Sequence, residues 1–404
     1  MRLIISFAAL FLSVLLLQLS SGGVGPLDVL SGTELGFSTG QIGLLGSAHF
    51  LGFFIGCWWA PRLMGSVGHS RAFAAFTAMG AIGLLAHMLV VDPYAWAAMR
   101  VASGLCVAGC YTVIEAWLQA KVANASRGRT MGVYRMVDTG GALLAQLMIG
   151  ILEPASYVSY NLLALLCCAA LLPLTLSRVT QPATGDTPRL RPGVAWGLSP
   201  LAVAGVIVAG VSGASFRMVG PLYGAQVGLS PDQIGLFLAA FVLGGAVAQW
   251  PAGWAADRND RRWVLIWFSV LSIGACALTV GAAGLGVAAI FLSALVFGAT
   301  TFPVYSISAA HAHDWARDDQ RVELSAALMF YYALGAIAAP LVTSALIALY
   351  GPPALFAFVA VAHAGLLVFG LVRMRRRPAS ATRNPYVWIP RTSFLVGRPL
   401  GRPR

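Results

Sequence analysis

The 404-residue sequence is 58% hydrophobic and only 10% charged, whereas soluble domains carry about a quarter charged residues; an ordinary soluble fold is excluded. Its 26 basic and 14 acidic residues leave a net charge of +12, which on its own would suit a nucleic-acid partner. Nine of those arginines, however, follow residue 372 in an acid-free tail that starts "RMRRRP" directly behind an apolar run. Anionic lipid headgroups attract such a segment by about 1 kcal/mol per residue, so a membrane surface is the expected partner and nucleic acid is not.

A hydrocarbon core about 30 Å thick is crossed by roughly 20 apolar residues in a helix. Twelve stretches satisfy this in chain order: 4–24, 41–60, 72–91, 96–118, 131–151 and 157–177, then 197–217, 233–255, 263–285, 286–309, 322–348 and 353–373. The fold class expected is therefore an all-α integral membrane protein with 12 transmembrane helices. An even count puts both chain ends on one side. With the ends inside, the inner loops gather thirteen Arg and Lys while the outer loops hold only Arg217, and Asp28, Glu34, Asp92, Glu153 and Asp232 lie outside. Positive charge is retained on the cytoplasmic side during insertion, so both termini are expected there, in a bacterial inner membrane.

The chain repeats itself. "LGFSTGQIGLLGSAHFLG" (35–52) returns as "VGLSPDQIGLFLAAFVLG" (227–244), with identities at Gly36, Ser38, Gln41, Ile42, Gly43, Leu44, Ala48, Leu51 and Gly52 at one offset, and "VGPL" (24–27) returns at 219–222. The first span thus pairs with the seventh and is expected to be retained, although Arg2 ahead of an apolar run resembles a signal peptide. Duplicated halves are a common transporter plan. The expected division is a six-helix bundle over 1–177, a cytoplasmic linker over 178–196, a second bundle over 197–373 and a basic cytoplasmic tail over 374–404. The repeated Ser-x-x-Gln stands where a helix cap belongs. Beyond it, Gly52-x-x-x-Gly56 and Gly244-x-x-x-Ala248 present small residues for close helix packing in lipid.

Between the eighth and ninth spans, "GWAADRNDRR" (253–262) resembles the loop signature of the major facilitator superfamily, Gly-x-x-x-Asp-Arg-x-Gly-Arg-Arg, with Asp260 where that family prefers glycine. The equivalent turn of the first half, "PRLMGSVGHSRAF" (61–73), keeps Gly68 and has Gly65 in place of the acid. "RVASG" (100–104) is similar to the family's fourth-helix Arg-x-x-x-Gly. Together with "YTVIEAWL" (111–118), "VGHSRAF" resembles a bacterial branch of unassigned substrate. The likeness covers nearly the whole chain and implies two pseudo-symmetric bundles around a cavity opening alternately to either side. It further implies a cytoplasmic gating loop, with Asp257, Arg258 and Arg261 as a charge latch and Gly68 and Arg71 at the matching turn. The glycine-proline motif of proton-linked drug antiporters is absent, since "MVDTGGALLAQ" (136–146) has no proline.

Charges inside spans cost about 2.5–3.5 kcal/mol each on insertion scales and so mark function. Arg100, Glu115, Arg135 and Asp138 stand out. Glu115 and Arg135 are equidistant from residue 125 in the polar hairpin "AKVANASRGRT" (120–130), which predicts equal depth and a pair; Asp138, three residues after Arg135, offers a second carboxylate. Arg100 lies fifteen residues before Glu115, which places both within about 60° on one helix and about 22 Å apart. Tyr111 and its counterpart Tyr305 could line a cavity and stack on a substrate. A static brace and a role in coupling remain alternative readings of Glu115 and Arg135.

All six cysteines fall inside spans as small apolar residues, with no disulfide framework or zinc spacing. In "AHAHDW" (310–315), His311 and His313 diverge by about 200° on a helix and cannot share an ion. No phosphate-binding loop is present, and Lys121 is the single lysine. The function expected is secondary transport of a small solute by a monomer without cofactor, with protons the favoured coupling ion. The alternative is a sensor or membrane enzyme on the same scaffold.

Overall fold

The apolar runs fold into α-helices, because in a bilayer a helix satisfies its own backbone N–H and C=O groups. A computed structural model of the protein describes residues 2–122, 127–176, 190–317, 320–376 and 386. In the first half the helices are α1 (Arg2–Glu34), α2 (Thr39–Val67), α3 (His69–His87), α4 (Pro93–Lys121), α5 (Arg127–Leu147), α6 (Tyr157–Ala169) and α7 (Leu171–Leu176). In the second they are α8 (Pro192–Leu198), α9 (Pro200–Gln226), α10 (Pro231–Arg258), α11 (Arg261–Ala282), α12 (Val287–His313), α13 (Arg321–Tyr350) and α14 (Ala354–Arg376). Among the described residues, ten segments are long and apolar enough to cross a membrane, with α6 and α7 counted as one. Of the twelve expected spans, α3 and α5 fall outside that set; α3 is long enough, but His69, Arg71 and His87 lower its mean hydropathy, and α5 carries Arg127, Arg129, Arg135 and Asp138.

Two expectations are corrected. The first span runs on to Glu34 instead of stopping near residue 24, so Asp28 is an interior helix residue and not part of a loop. Arg217 likewise sits within α9, its guanidinium 5.3 Å from the Phe302 ring centroid. Residues 192–198 of the expected linker are helical as α8; residues 177–189, and the tail after 376 apart from Tyr386, lie outside the described residues.

The chain divides into two compact units, Met1–Thr187 and Pro188–Arg404. Each has the same packing plan. In the first unit α2 lies on α4, α3 on α4 and α6, and α1 on α5 and α6; in the second α10 lies on α12, α11 on α12 and α14, and α9 on α13 and α14. A Cβ on Gly52 would overlap the Val101 carbonyl, and one on Gly244 the Leu295 carbonyl, so α2 meets α4 and α10 meets α12 backbone to backbone. In lipid such contact supplies the association that the hydrophobic effect cannot.

The repeated Ser-x-x-Gln starts a helix in both units. Ser38 N–H donates to Gln41 Oε1 at 2.8 Å and Gln41 N–H to Ser38 Oγ at 3.3 Å; Ser230 N–H donates to Gln233 Oε1 at 3.1 Å. These bonds satisfy donors that a helix start leaves open. Outward-facing Ile151, Val158, Leu285 and Leu349 are each more than 70% exposed, a surface that suits lipid.

Candidate functional site

Two buried polar clusters lie inside the first unit, and they are separate. The first joins α1, α4 and α5. Arg135 sits between two carboxylates, with Nη2 3.7 Å from Glu115 Oε1 and Nη1 3.4 Å from Asp138 Oδ2. Tyr111 Oη and Gln18 Nε2 both donate to Asp138 Oδ1, at 2.6 and 2.8 Å, and Tyr134 Oη donates to Glu115 Oε1 at 3.2 Å. The Glu115 side chain is 3% exposed and the Asp138 side chain 14%, so Asp138 is the carboxylate water reaches more easily. The Arg135 guanidinium also lies 4.7 Å from the Tyr134 ring centroid, held against an aromatic face.

The second cluster joins α1, α3, α4 and α6 around Asp28. Arg100 Nε lies 3.4 Å and His87 Nε2 3.6 Å from Asp28 Oδ2, and Tyr160 Oη donates to Asp28 Oδ1 at 2.9 Å. His87 stacks on Tyr160 at 5.0 Å between centroids, while Trp96 Nε1 donates to the His87 carbonyl at 2.8 Å. Because a carbonyl can only accept, His87 Nδ1 donates its hydrogen to Gly83 O at 2.6 Å; the approach of Nε2 to Asp28 is attractive when a proton lies between them. Arg100 is thus not a lone charge at a span end. It is buried and paired, and it shares no cluster with Glu115. The motif Arg100-x-x-x-Gly104 serves two ends: Gly104 lets α4 touch α2 at the His49 carbonyl, and Arg100, one turn away, meets Asp28.

In the second unit, apart from exposed Arg217 within α9, the charges sit at the helix ends. Arg261, 1% exposed, donates to Asp314 Oδ1 at 2.7 Å, to the Ala310 carbonyl at 2.9 Å and to Asp257 Oδ1 at 3.3 Å. Arg258 instead lies over Trp254, 4.4 Å from its ring centroid. Tyr386 from the tail donates its N–H to Asp257 Oδ1 and its hydroxyl to Gln249 Oε1, both at 2.7 Å, with its ring against Gly253. Asp260 caps α11 and grips Arg262 at 2.6 Å. Burial pushes the Asp260 carboxyl up, but hydrogen bonds from the Arg262 side chain and N–H outweigh it and hold the group below the usual carboxylate range. At the matching turn Gly68, with φ at +85°, joins α2 to α3, and Arg71 is exposed. Tyr305 packs edge-on against Tyr332, 5.5 Å between centroids. His313 meets Ser325 Oγ at 3.1 Å and Asp314 is held by Arg261, so these neighbours serve packing and pairing.

Sequence reasoning missed Asp28, His87, Tyr160, Tyr134, Gln18 and Tyr386. One signal was available: His87 lies inside an apolar run, where an ionisable residue deserves the same question as Glu115.

Duplicated bundles of membrane helices that bury paired charges define a polytopic transport scaffold. The Major Facilitator Superfamily model matches residues 10–205 and again residues 201–400, and the chain belongs to that family of secondary transporters. A Yersinia pestis (strain Pestoides F) protein named an uncharacterized MFS-type transporter is 28% identical over 357 residues, covering 87% of this chain and 90% of the relative. A similarly named protein of Enterobacter sp. (strain 638) is 28% identical over 354 residues, covering 87% and 91%. Among solved structures, the nucleoside transporter NupG has a TM-score of 0.75 at 16% identity, covering 93% of this chain and all of NupG. A bacterial homologue of the human lysosomal transporter Spinster, inward-facing and unoccupied, has 0.71 at 15% identity, covering 97% and 96%. At such identities the likeness is one of fold.

Proposed function

We propose that the protein is a proton-coupled secondary transporter of the bacterial inner membrane, with both termini cytoplasmic, moving a small solute by alternating access. The observation that carries this reading is the sharing of Arg135 between Glu115 and Asp138. Two carboxylates and one guanidinium inside helices leave a group whose charge is costly in a low dielectric, and a proton removes that cost. Asp138, the more exposed of the two, is where the proton enters. Charged, Asp138 holds Arg135 and accepts from Tyr111 and Gln18, tying α1, α4 and α5 together. Protonated, it releases Arg135 to Glu115, and the tie between α5 and its neighbours changes. One proton thereby alters the contacts of three helices, which is the differential interaction that alternating access requires.

The test uses vesicles containing the full chain and a solute found by thermal-shift screening. Uptake is followed at two pH values and with an imposed proton gradient. Asp138→Asn and Glu115→Gln are expected to keep the solute-induced thermal shift while uptake ceases to follow the gradient. Wild-type pH dependence in both variants would exclude the assignment.

A further inference from the structure

Four helix ends of the second unit converge on a small basic cleft that plays no part in the coupling scheme. Ser199 and Leu201 in the first turn of α9, Arg262 in the first turn of α11, His311 in the last turn of α12 with Trp315 just beyond it, and Arg373 in the last turn of α14 surround about 310 Å³ of empty space, part of it continuous with solvent.

The cleft's electrostatics favour an anion. Arg262 is matched by Asp260 at 2.6 Å, which fixes its position but balances its charge. The neighbouring carboxylate Asp314 is taken by Arg261. Arg373 is half-buried and makes no ion pair among the described residues, so its positive charge is unbalanced locally. α9 and α11 begin here with their positive dipole ends at the cleft, while α12 and α14 end here with their negative ones, so the helix dipoles largely offset one another and Arg373 carries the balance; Ser199 caps α9 by accepting from Ala202 N–H at 3.2 Å. A phosphoryl group, with several acceptor oxygens in a compact tetrahedron, matches the arginine fork better than a monovalent point anion does.

Depth favours the same class of ligand. Trp196 on α8 and Trp263 and Trp267 on α11 stand about half-exposed at this end of the unit, where tryptophan marks headgroup level. Arg373 also opens the basic run that continues through Arg375, Arg376 and Arg377.

We propose that this cleft binds a phosphoryl group, with Arg373 as the principal cation and Arg262 in support. The group could be carried by an anionic phospholipid or by a free phosphate compound, and the proposal is independent of the coupling scheme and of the solute carried. The test uses the full chain in lipid-free detergent micelles, with binding read by thermal unfolding and by mass spectrometry of the intact complex. Phosphatidylglycerol and inorganic phosphate are added separately, with chloride as the ionic-strength control. Stabilisation by phosphatidylglycerol alone assigns the cleft to lipid; stabilisation by inorganic phosphate also assigns it to a free phosphate compound. Arg373→Gln is expected to weaken binding about tenfold, as loss of a hydrogen bond to a charged group does, and Arg373→Lys to fall between it and wild type. Arg375→Gln, which removes an equal charge from an exposed position outside the cleft, is expected to leave binding of inorganic phosphate unchanged and to weaken binding of phosphatidylglycerol less than Arg373→Gln does. Absence of stabilisation by either additive overturns the proposal, and so do equal losses in Arg373→Gln and Arg375→Gln, which would mean diffuse attraction to the tail.

Discussion

Where α1, α3, α4 and α6 meet, the first unit buries Asp28, His87 and Arg100; at the corresponding junction of α9, α11, α12 and α14 the second unit has Tyr223, Thr279 and Ala294. The repeated "VGPL" aligns Asp28 with Tyr223, and the close-packed Gly104 and Gly298 align Arg100 with Ala294. Even the meeting of α1 with α3 has its counterpart, since Tyr223 Oη donates to the Thr279 carbonyl at 3.3 Å. Around it the second unit packs rings: Phe216 lies 4.2 Å from Phe241 and 5.2 Å from Phe297 between centroids. One architecture is therefore closed by ions in one half and by aromatics in the other. Burying an ion pair gains little over well-packed apolar groups, so the charges are not what the packing plan demands. The same holds at Glu115, whose counterpart by the same alignment is Ala309. Neither cluster of charge buried within the helices of the first unit is repeated in the second.

The comparison can be broken most forcefully at Asp28. Asp28→Ala leaves Arg100 buried without its carboxylate and is expected to cost about 3–5 kcal/mol, measured by unfolding in detergent. The double variant Asp28→Tyr with Arg100→Ala copies the second unit and is expected to recover most of that loss; a double as unstable as the single would show that the ions are integral to the packing. The shared plan is sharpened by Gly52→Leu and Gly244→Leu, each expected to cost about 1–3 kcal/mol as overpacking at a backbone contact. A cost in one unit alone would mean that the two close approaches are not equivalent. Gln41→Ala and Gln233→Ala are each expected to cost about 0.5–1.5 kcal/mol, read as faster hydrogen exchange at the starts of α2 and α10.

The smallest effect separates the two matching turns. Asp260 titrates lower in the folded protein than in the unfolded chain, so its stabilisation is complete above the unfolded value and is lost as pH falls through the folded one. Protection of the first turn of α11, taken as exchange relative to the intrinsic rate at each pH, is expected to fall on acidification and to become insensitive to it in Asp260→Asn. The first turn of α3, preceded by Gly68, is expected to show no such response.

The pairing of Glu115 with Arg135 was legible because it is local: two helices joined by a short hairpin face each other at equal depth on either side of the turn. The Asp28 cluster was not. The first span was expected to end at residue 24, which left Asp28 outside it, and the stretch "GVGPLDVLSG" (23–32) carries Gly, Pro and Asp, which end helices in water. In lipid the backbone has no alternative partner, and α1 continues through Pro26 to Glu34. Asp260, a departure from the family's glycine, likewise found its reason only when it proved to cap α11 and hold Arg262.

Composition and the spacing of apolar runs were enough to decide that this chain is a membrane-embedded helical protein, and internal repetition was enough to decide that it is two versions of one bundle, because both properties are carried by long segments whose averages survive errors at any single position. Which charges meet was decided only in three dimensions. Asp28, His87, Arg100 and Tyr160 come from four helices, and their convergence depends on the rotation and separation that contacts such as Gly52 on Val101 and Gly104 on His49 impose. No pattern along one helix records the azimuth of another.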